Sequence, residues 1–162
     1  MSKIIVGDLE ADGLLSSATT IWCGTFYDLT YEKWYDYSPS ISSNYLDHLR
    51  YFFTSLFDYD YYLAGHNFIS YDIPLIKKIL NITIPPERVI DTLILSKMFF
   101  PDIKGHAKPH SIEAWGQRFK IEKPEHEDWS QFSEEMLHRN NEDVRINIKL
   151  FELLQQKGFK VP

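Results

Sequence analysis

The hydrophobic pattern of the chain switches period several times. Residues 3–6 carry Ile4, Ile5 and Val6 in a row before Gly7, the signature of a short buried strand. The small and polar stretch 11–17 reads as a turn. Residues 19–27 and 31–37 are rich in β-branched and aromatic side chains and flank Asp28-Leu29-Thr30, which predicts a hairpin. After the Ser38-Pro39-Ser40 break the period becomes helical. Tyr45, Leu49, Phe52, Phe53 and Leu56 fall on one stripe, predicting a helix over 45–57. Residues 61–64 before Gly65 read as another strand, and a helix is expected to open at Asp72 with Pro74 in its first turn. Pro85-Pro86 close that unit. Val89-Ile90 lead into a helix running to about Phe99, and 101–109 form a loop. Helices are expected over 111–119 and from 134 to about 157, the latter stopped at Gly158, with an acidic surface loop at 122–128 between them. A hairpin followed by strand–helix alternation predicts an α/β fold with a mixed sheet and helices on its faces.

The 162-residue length suits one domain with a sizeable core. A formal net charge of −6 argues against a broad, non-specific grip on duplex nucleic acid, which needs basic surface. It leaves room for an enzyme that holds one strand end at an acidic, metal-filled site. The lone Cys23 makes no internal disulfide and fits a reducing cytoplasm. No signal peptide or membrane-length apolar run is visible, so no membrane partner is expected.

The candidate chemistry begins at Asp8 and Glu10. In an extended chain these two acids point to one face, and oxygen ligands so placed suit Mg²⁺ or Mn²⁺. Two solvated acids leaving a strand would look the same. The segment Gly65-His66-Asn67-Phe68-Ile69-Ser70-Tyr71-Asp72 stands between a strand and a helix, where open α/β sheets place ligands. Asn67 offers an amide to a phosphate or a base edge, and Asp72 is either a ligand or a helix N-cap. On the last helix Met136, Asn140, Asp143, Asn147, Leu150 and Leu154 share one face by steps of three and four. An inward Asp143 requires a metal or a partner, with Asn140 or Asn147 as the alternative to a metal. His110, just before the 111–119 helix, is a weaker candidate for touching substrate.

Asp8-x-Glu10, Asn67 followed by Tyr71-Asp72, and His138 followed by Asp143 together resemble the DEDD superfamily of 3′→5′ exonucleases. The nearest likeness is to the proofreading domain of family A DNA polymerases of the podophage type, supported by Gly65-His66-Asn67, Ile90-Asp91-Thr92-Leu93 and Ile112-Glu113-Ala114-Trp115-Gly116. The resemblance implies an RNase H-like, five-stranded mixed sheet, a single exonuclease domain over 1–162, and two divalent ions, Mg²⁺ or Mn²⁺. It makes Asp8 the bridging ligand, gives Glu10 and Asp143 to the nucleophile-side ion, and gives Asp72 to the other through water. It places Leu14 against the terminal base, with Asn67 and Tyr71 beside the strand. The implied substrate is the 3′ end of single-stranded DNA, with a role in phage replication or proofreading in the host cytoplasm and a separate polymerase as a possible partner. The alternatives are a weakly or non-catalytic module that binds nucleic acid or a polymerase, and an RNA exonuclease of the same superfamily.

One position departs from that family. A Tyr normally stands four residues before the last Asp, and here the position holds Arg139, whose guanidinium cannot accept a proton near neutral pH. His138 has the spacing of the superfamily's His-type branch and is expected to be the base, with Arg139 on the scissile phosphate as the rival arrangement. Geometry sets a condition on this expectation. Five residues of unbroken helix turn through roughly 500°, so His138 reaches the site only if the segment before Asp143 is a loop or a helix end.

Overall fold

The computed structural model describes residues 2–122 and 125–162. Lys123 and Pro124, inside the loop expected over 122–128, lie outside the described residues. The strands are β1 (Lys3–Ala11), β2 (Ile21–Asp28), β3 (Lys33–Tyr37), β4 (Tyr61–Gly65) and β5 (Val89–Asp91). The helices are α1 (Tyr45–Leu56), α2 (Ile73–Leu80), α3 (Thr92–Phe99), α4 (Ile112–Phe119) and α5 (Glu134–Gln156). They form the α/β arrangement expected, a five-stranded mixed sheet in the order β3-β2-β1-β4-β5 with flanking helices. The first three strands pair antiparallel, whereas β4 and β5 join β1 in parallel.

Side-chain alternation along β1 divides the core. Ile5 and Leu9 join Phe26, Leu49, Phe53, Leu75 and others beneath α1 and α2. Ile4 and Val6 point to the other face, where they meet Ala64, Ile90, Val144 and Phe151 beneath α5. A third cluster, built on Trp115, Ile146, Leu150 and Leu154, joins α4 to α5. Asp8 and Glu10 continue the row begun by Ile4 and Val6 and therefore face α5.

β1 extends to Ala11, five residues beyond the strand expected from its apolar run. Pairing with β2 carries it past Gly7, and the register slips only between Glu10 and Ala11. Such an irregularity lets a strand bend beside a site. Gly7 has no side chain because Phe26 covers it. A Cβ there would stand 2.2 Å from Phe26 Cδ1. Phe26 is fully buried and packed by Phe52, Phe53 and Tyr37, so its ring has little room to move. Gly7→Ala should therefore destabilise the protein by about 1–3 kcal/mol, the usual range for overpacking, measured by urea unfolding.

Candidate active site

Asp8 and Glu10 arrive from β1 and Asp143 from α5. Each offers one carboxylate oxygen, and the three oxygens lie within 4.8 Å of one another. At an effective dielectric near 20, each such pair of charges repels by about 3 kcal/mol. Neighbours counter part of that repulsion. The fully buried Asn140 donates from Nδ2 to Asp8 Oδ2 at 2.8 Å, and Arg139 Nε stands 3.9 Å from Glu10 Oε1.

Asp72 stands beside the trio. It is 2 % exposed and makes no cap hydrogen bond to the helix it precedes; instead it accepts from the backbone N–H of Leu9, between the two strand acids, at 3.2 Å. Burial drives its pKa well above the ordinary carboxylate range, and the charges of Glu10 and Asp91 push the same way against the Leu9 hydrogen bond. The donor set fits a divalent cation, because it consists of hard oxygens gathered from distant parts of the chain. Asn140 Oδ1 adds a buried oxygen with no hydrogen-bond partner among the described residues.

The expected inward face of α5 is present: Met136, Asn140, Asp143, Asn147, Leu150 and Leu154 are all buried. The condition set for His138, a break in the segment before Asp143, is not met. Ser133 caps α5 by accepting from Met136 N–H, and the helix continues without interruption through Asp143. His138 is exposed, about 140° around the axis from Asp143, and is not brought to the acids. Arg139, four residues before Asp143, shares its face. Its guanidinium lies 5.4 Å from the centre of the Trp129 ring, and the Trp129 carbonyl accepts from the Trp22 indole at 2.9 Å.

Two recesses flank the acids. One, of about 590 Å³, is lined by Asp8, Asn67, Lys97, Lys108, His110, Asp143 and Asn147 among others. Asn67 has a left-handed φ of 60°, and Asp91 fixes that turn by accepting from the N–H groups of Asn67 and Ile69, each at 3.0 Å. The other recess, of about 430 Å³, is lined by Glu10, Leu14, Tyr71, Trp129 and Arg139 among others. Leu14 is 76 % exposed, and the Tyr71 hydroxyl donates to the Gly13 carbonyl at 2.7 Å, bracing the turn that carries Leu14.

Sequence reasoning missed Asn140 as the donor to Asp8, Asp91 as the clamp on Asn67, and Trp129 altogether. Asn140 was legible as a face-mate of Asp143, and Asp91 stood within a quoted motif. Trp129 gave no signal, because its role depends on tertiary contact alone.

An RNase H-like fold with acids converging from the first strand and the last helix can be set beside known proteins. No protein-family model matches the chain. The DNA-directed DNA polymerase of Escherichia phage T7 is 29% identical to it across 98% of this chain, and the chain spans only 28% of that relative's length. A solved structure described as the apo form of a nuclease superposes with a TM-score of 0.67 at 15% identity, covering 95% of this chain and 72% of the other. Apo Exonuclease I superposes with a TM-score of 0.66 at 12% identity, over 98% of this chain and 43% of the other. These likenesses support the resemblance to a DEDD 3′→5′ exonuclease.

A carboxyl whose pKa rises on folding weakens the fold as pH climbs from the ordinary carboxylate value to the raised one, and the penalty is constant above that window and absent below it. Asp72→Asn keeps an oxygen for the Leu9 N–H and removes the buried ionisable group. It should raise the Tm of the metal-free protein at pH 7 by about 3 °C or more, a gap that closes as pH falls toward 4. Added Mg²⁺ or Mn²⁺ should stabilise the wild type more than the variant, as differential scanning calorimetry would record.

Proposed function

We propose that residues 1–162 form one 3′→5′ exonuclease domain that hydrolyses the terminal phosphodiester of single-stranded DNA and releases nucleoside 5′-monophosphates. The convergence of Asp8, Glu10 and Asp143 oxygens within 4.8 Å of one another carries this reading. A phosphodiester is an anion that repels its nucleophile, and one acidic cluster cannot attract it unaided. Asp8, Glu10, Asp72 and Asp143 would hold two divalent ions, Mg²⁺ or Mn²⁺, which would supply the missing positive charge for the attacking and leaving oxygens.

The chain's own residues do the rest. Asn140 holds Asp8 in place through its amide. Asn67 and His110 line the larger recess beside the strand, while Leu14 and Tyr71 border the smaller one. Arg139 bears a fixed positive charge beside Glu10 and contacts the phosphate instead of moving a proton. His138, exposed on the far side of the helix, has no part in the reaction in this reading. Likeness to a phage polymerase supports DNA over RNA and a role in replication or proofreading beside a separate polymerase.

The second reading is a binding module without turnover, favoured by the Arg139 that replaces the expected Tyr. A 5′-labelled single-stranded oligonucleotide with Mg²⁺ or Mn²⁺ separates the two: a descending ladder supports the enzyme, and retention without shortening supports the binder. Asp8→Asn or Asp143→Asn should reduce cleavage at least 10³-fold with the circular dichroism spectrum unchanged, a loss typical of removing an essential electrostatic contact. His138→Ala should stay within about threefold of wild type in kcat/KM, while Arg139→Ala should lose about tenfold or more. The opposite ranking would restore His138 as the base.

A further inference from the structure

His110 is held in a way that its place on a loop does not require. Its Nδ1 lies 2.7 Å from Ser96 Oγ, and the same Oγ accepts from Trp115 Nε1 at 3.0 Å. An indole N–H only donates, so the serine hydrogen is left for the histidine. It has no other acceptor among the described residues. Nδ1 is therefore an acceptor, and the proton of the ring sits on Nε2. Ser96 is fully buried and Trp115 nearly so, which locks this relay within the α3–α4 packing.

The backbone is pinned as well. The His110 carbonyl accepts from His66 Nε2 at 2.8 Å, and the Pro109 carbonyl accepts from Arg118 Nη1 at 2.6 Å. Burial, with Lys97 and Arg118 nearby, lowers the pKa of His110, so the ring is neutral at pH 7. Nε2 takes no partner among the described residues, and the ring lines the larger recess with Lys97 and Lys108.

We propose that His110 contacts the bound strand directly, its Nε2–H donating to a phosphate oxygen while the Lys97 and Lys108 ammonium groups supply positive charge beside it. The inference rests on the nuclease reading and adds a contact to it. A neutral, oriented donor fixes where a phosphate sits without adding another mobile charge to the recess. Lysine alone would attract the strand but leave its position loose.

Two measurements test this. Nitrogen-15 NMR of the imidazoles, independent of cleavage, should show His110 protonated on Nε2 and bare on Nδ1 at pH 7, with the preference lost in Ser96→Ala. Steady-state cleavage of a single-stranded DNA oligonucleotide with Mg²⁺ supplies the second. His110→Asn keeps a polar group near Ser96 and nothing at the Nε2 position; it should raise KM about tenfold with kcat within twofold, the loss expected of one charge-assisted hydrogen bond. His110→Gln, which extends an amide nitrogen toward that position, should recover most of the loss. A single methylphosphonate linkage at the contacted phosphate should slow wild type but add nothing to His110→Asn.

A proton on Nδ1, or a correctly folded His110→Asn with wild-type KM, overturns the inference while the nuclease reading stands. Wild-type protein that cleaves nothing with either metal overturns both.

Discussion

Repulsion among carboxylates is the constraint around which this fold is arranged. Three oxygens within 4.8 Å of one another would separate if their carriers could move. They cannot, because β1 and α5 are zipped together at one end. Ile4 and Val6 of the strand pack with Val144 and Phe151 of the helix, and the same two rows continue into Asp8 and Glu10 on one side and Asp143 and Asn140 on the other. Apolar burial at the closed end of the seam holds charge together at the open end. Each fully buried aliphatic side chain contributes about 1.5–3 kcal/mol, so a few of them outweigh the repulsion. A cation bound by the acids would remove the conflict.

The same constraint bears on the mixed lining of the larger recess. An anionic strand cannot approach a wall of carboxylates without positive charge or donors on its other side. Lys97, Lys108, His110 and Asn67 provide these locally in a protein whose net charge is −6. Two of the protein's 17 lysines and arginines thus stand at this recess, beside the acids. Arg139 extends the idea to the smaller recess. Its stacking on Trp129 presents a fixed charge beside Glu10, the kind of contact a tyrosine hydroxyl at that position would not make.

Most of the elements were legible because their hydrophobic periods are clean: α1 and α5 declare their buried stripes, and the β2–β3 hairpin declares its β-branched run. The acids were legible through spacing, two residues on a strand and a face-mate set on a helix. The extent of β1 was not legible. Gly7, Asp8 and Glu10 interrupt the apolar run and locally mimic a turn, while the pairing that keeps them extended is made by β2, residues away. His138 stands apart from the acids for a related reason. Spacing from Asp143 suggested a partner, but the Ser133 cap starts the helix early enough to send His138 outward. Asp72 posed the converse case. Its position before α2 suits a cap, and only the fold reveals that its carboxyl turns inward to Leu9 instead.

Part of the lining of the recesses comes from one end of the sheet, and much of the rest from α3, α5 and the loops beside them. β1, β4 and β5 run parallel, and their C-terminal ends deliver Asp8 and Glu10, the Asn67 turn, and Asp91. Ligands gather at such edges because the loops there are free to vary while the strands fix where each loop begins. Here the loops are not free. The left-handed Asn67 is clamped by Asp91, the Leu14 turn is braced by Tyr71, and His110 is locked through Ser96 and Trp115. A site that must hold charges against their own repulsion gains little from flexible walls, since any loosening lets the acids relax apart before a cation or a strand arrives. Rigid bracing of each loop is therefore the physical counterpart of the crowded carboxylates, and it is what lets a small domain keep such a cluster in readiness.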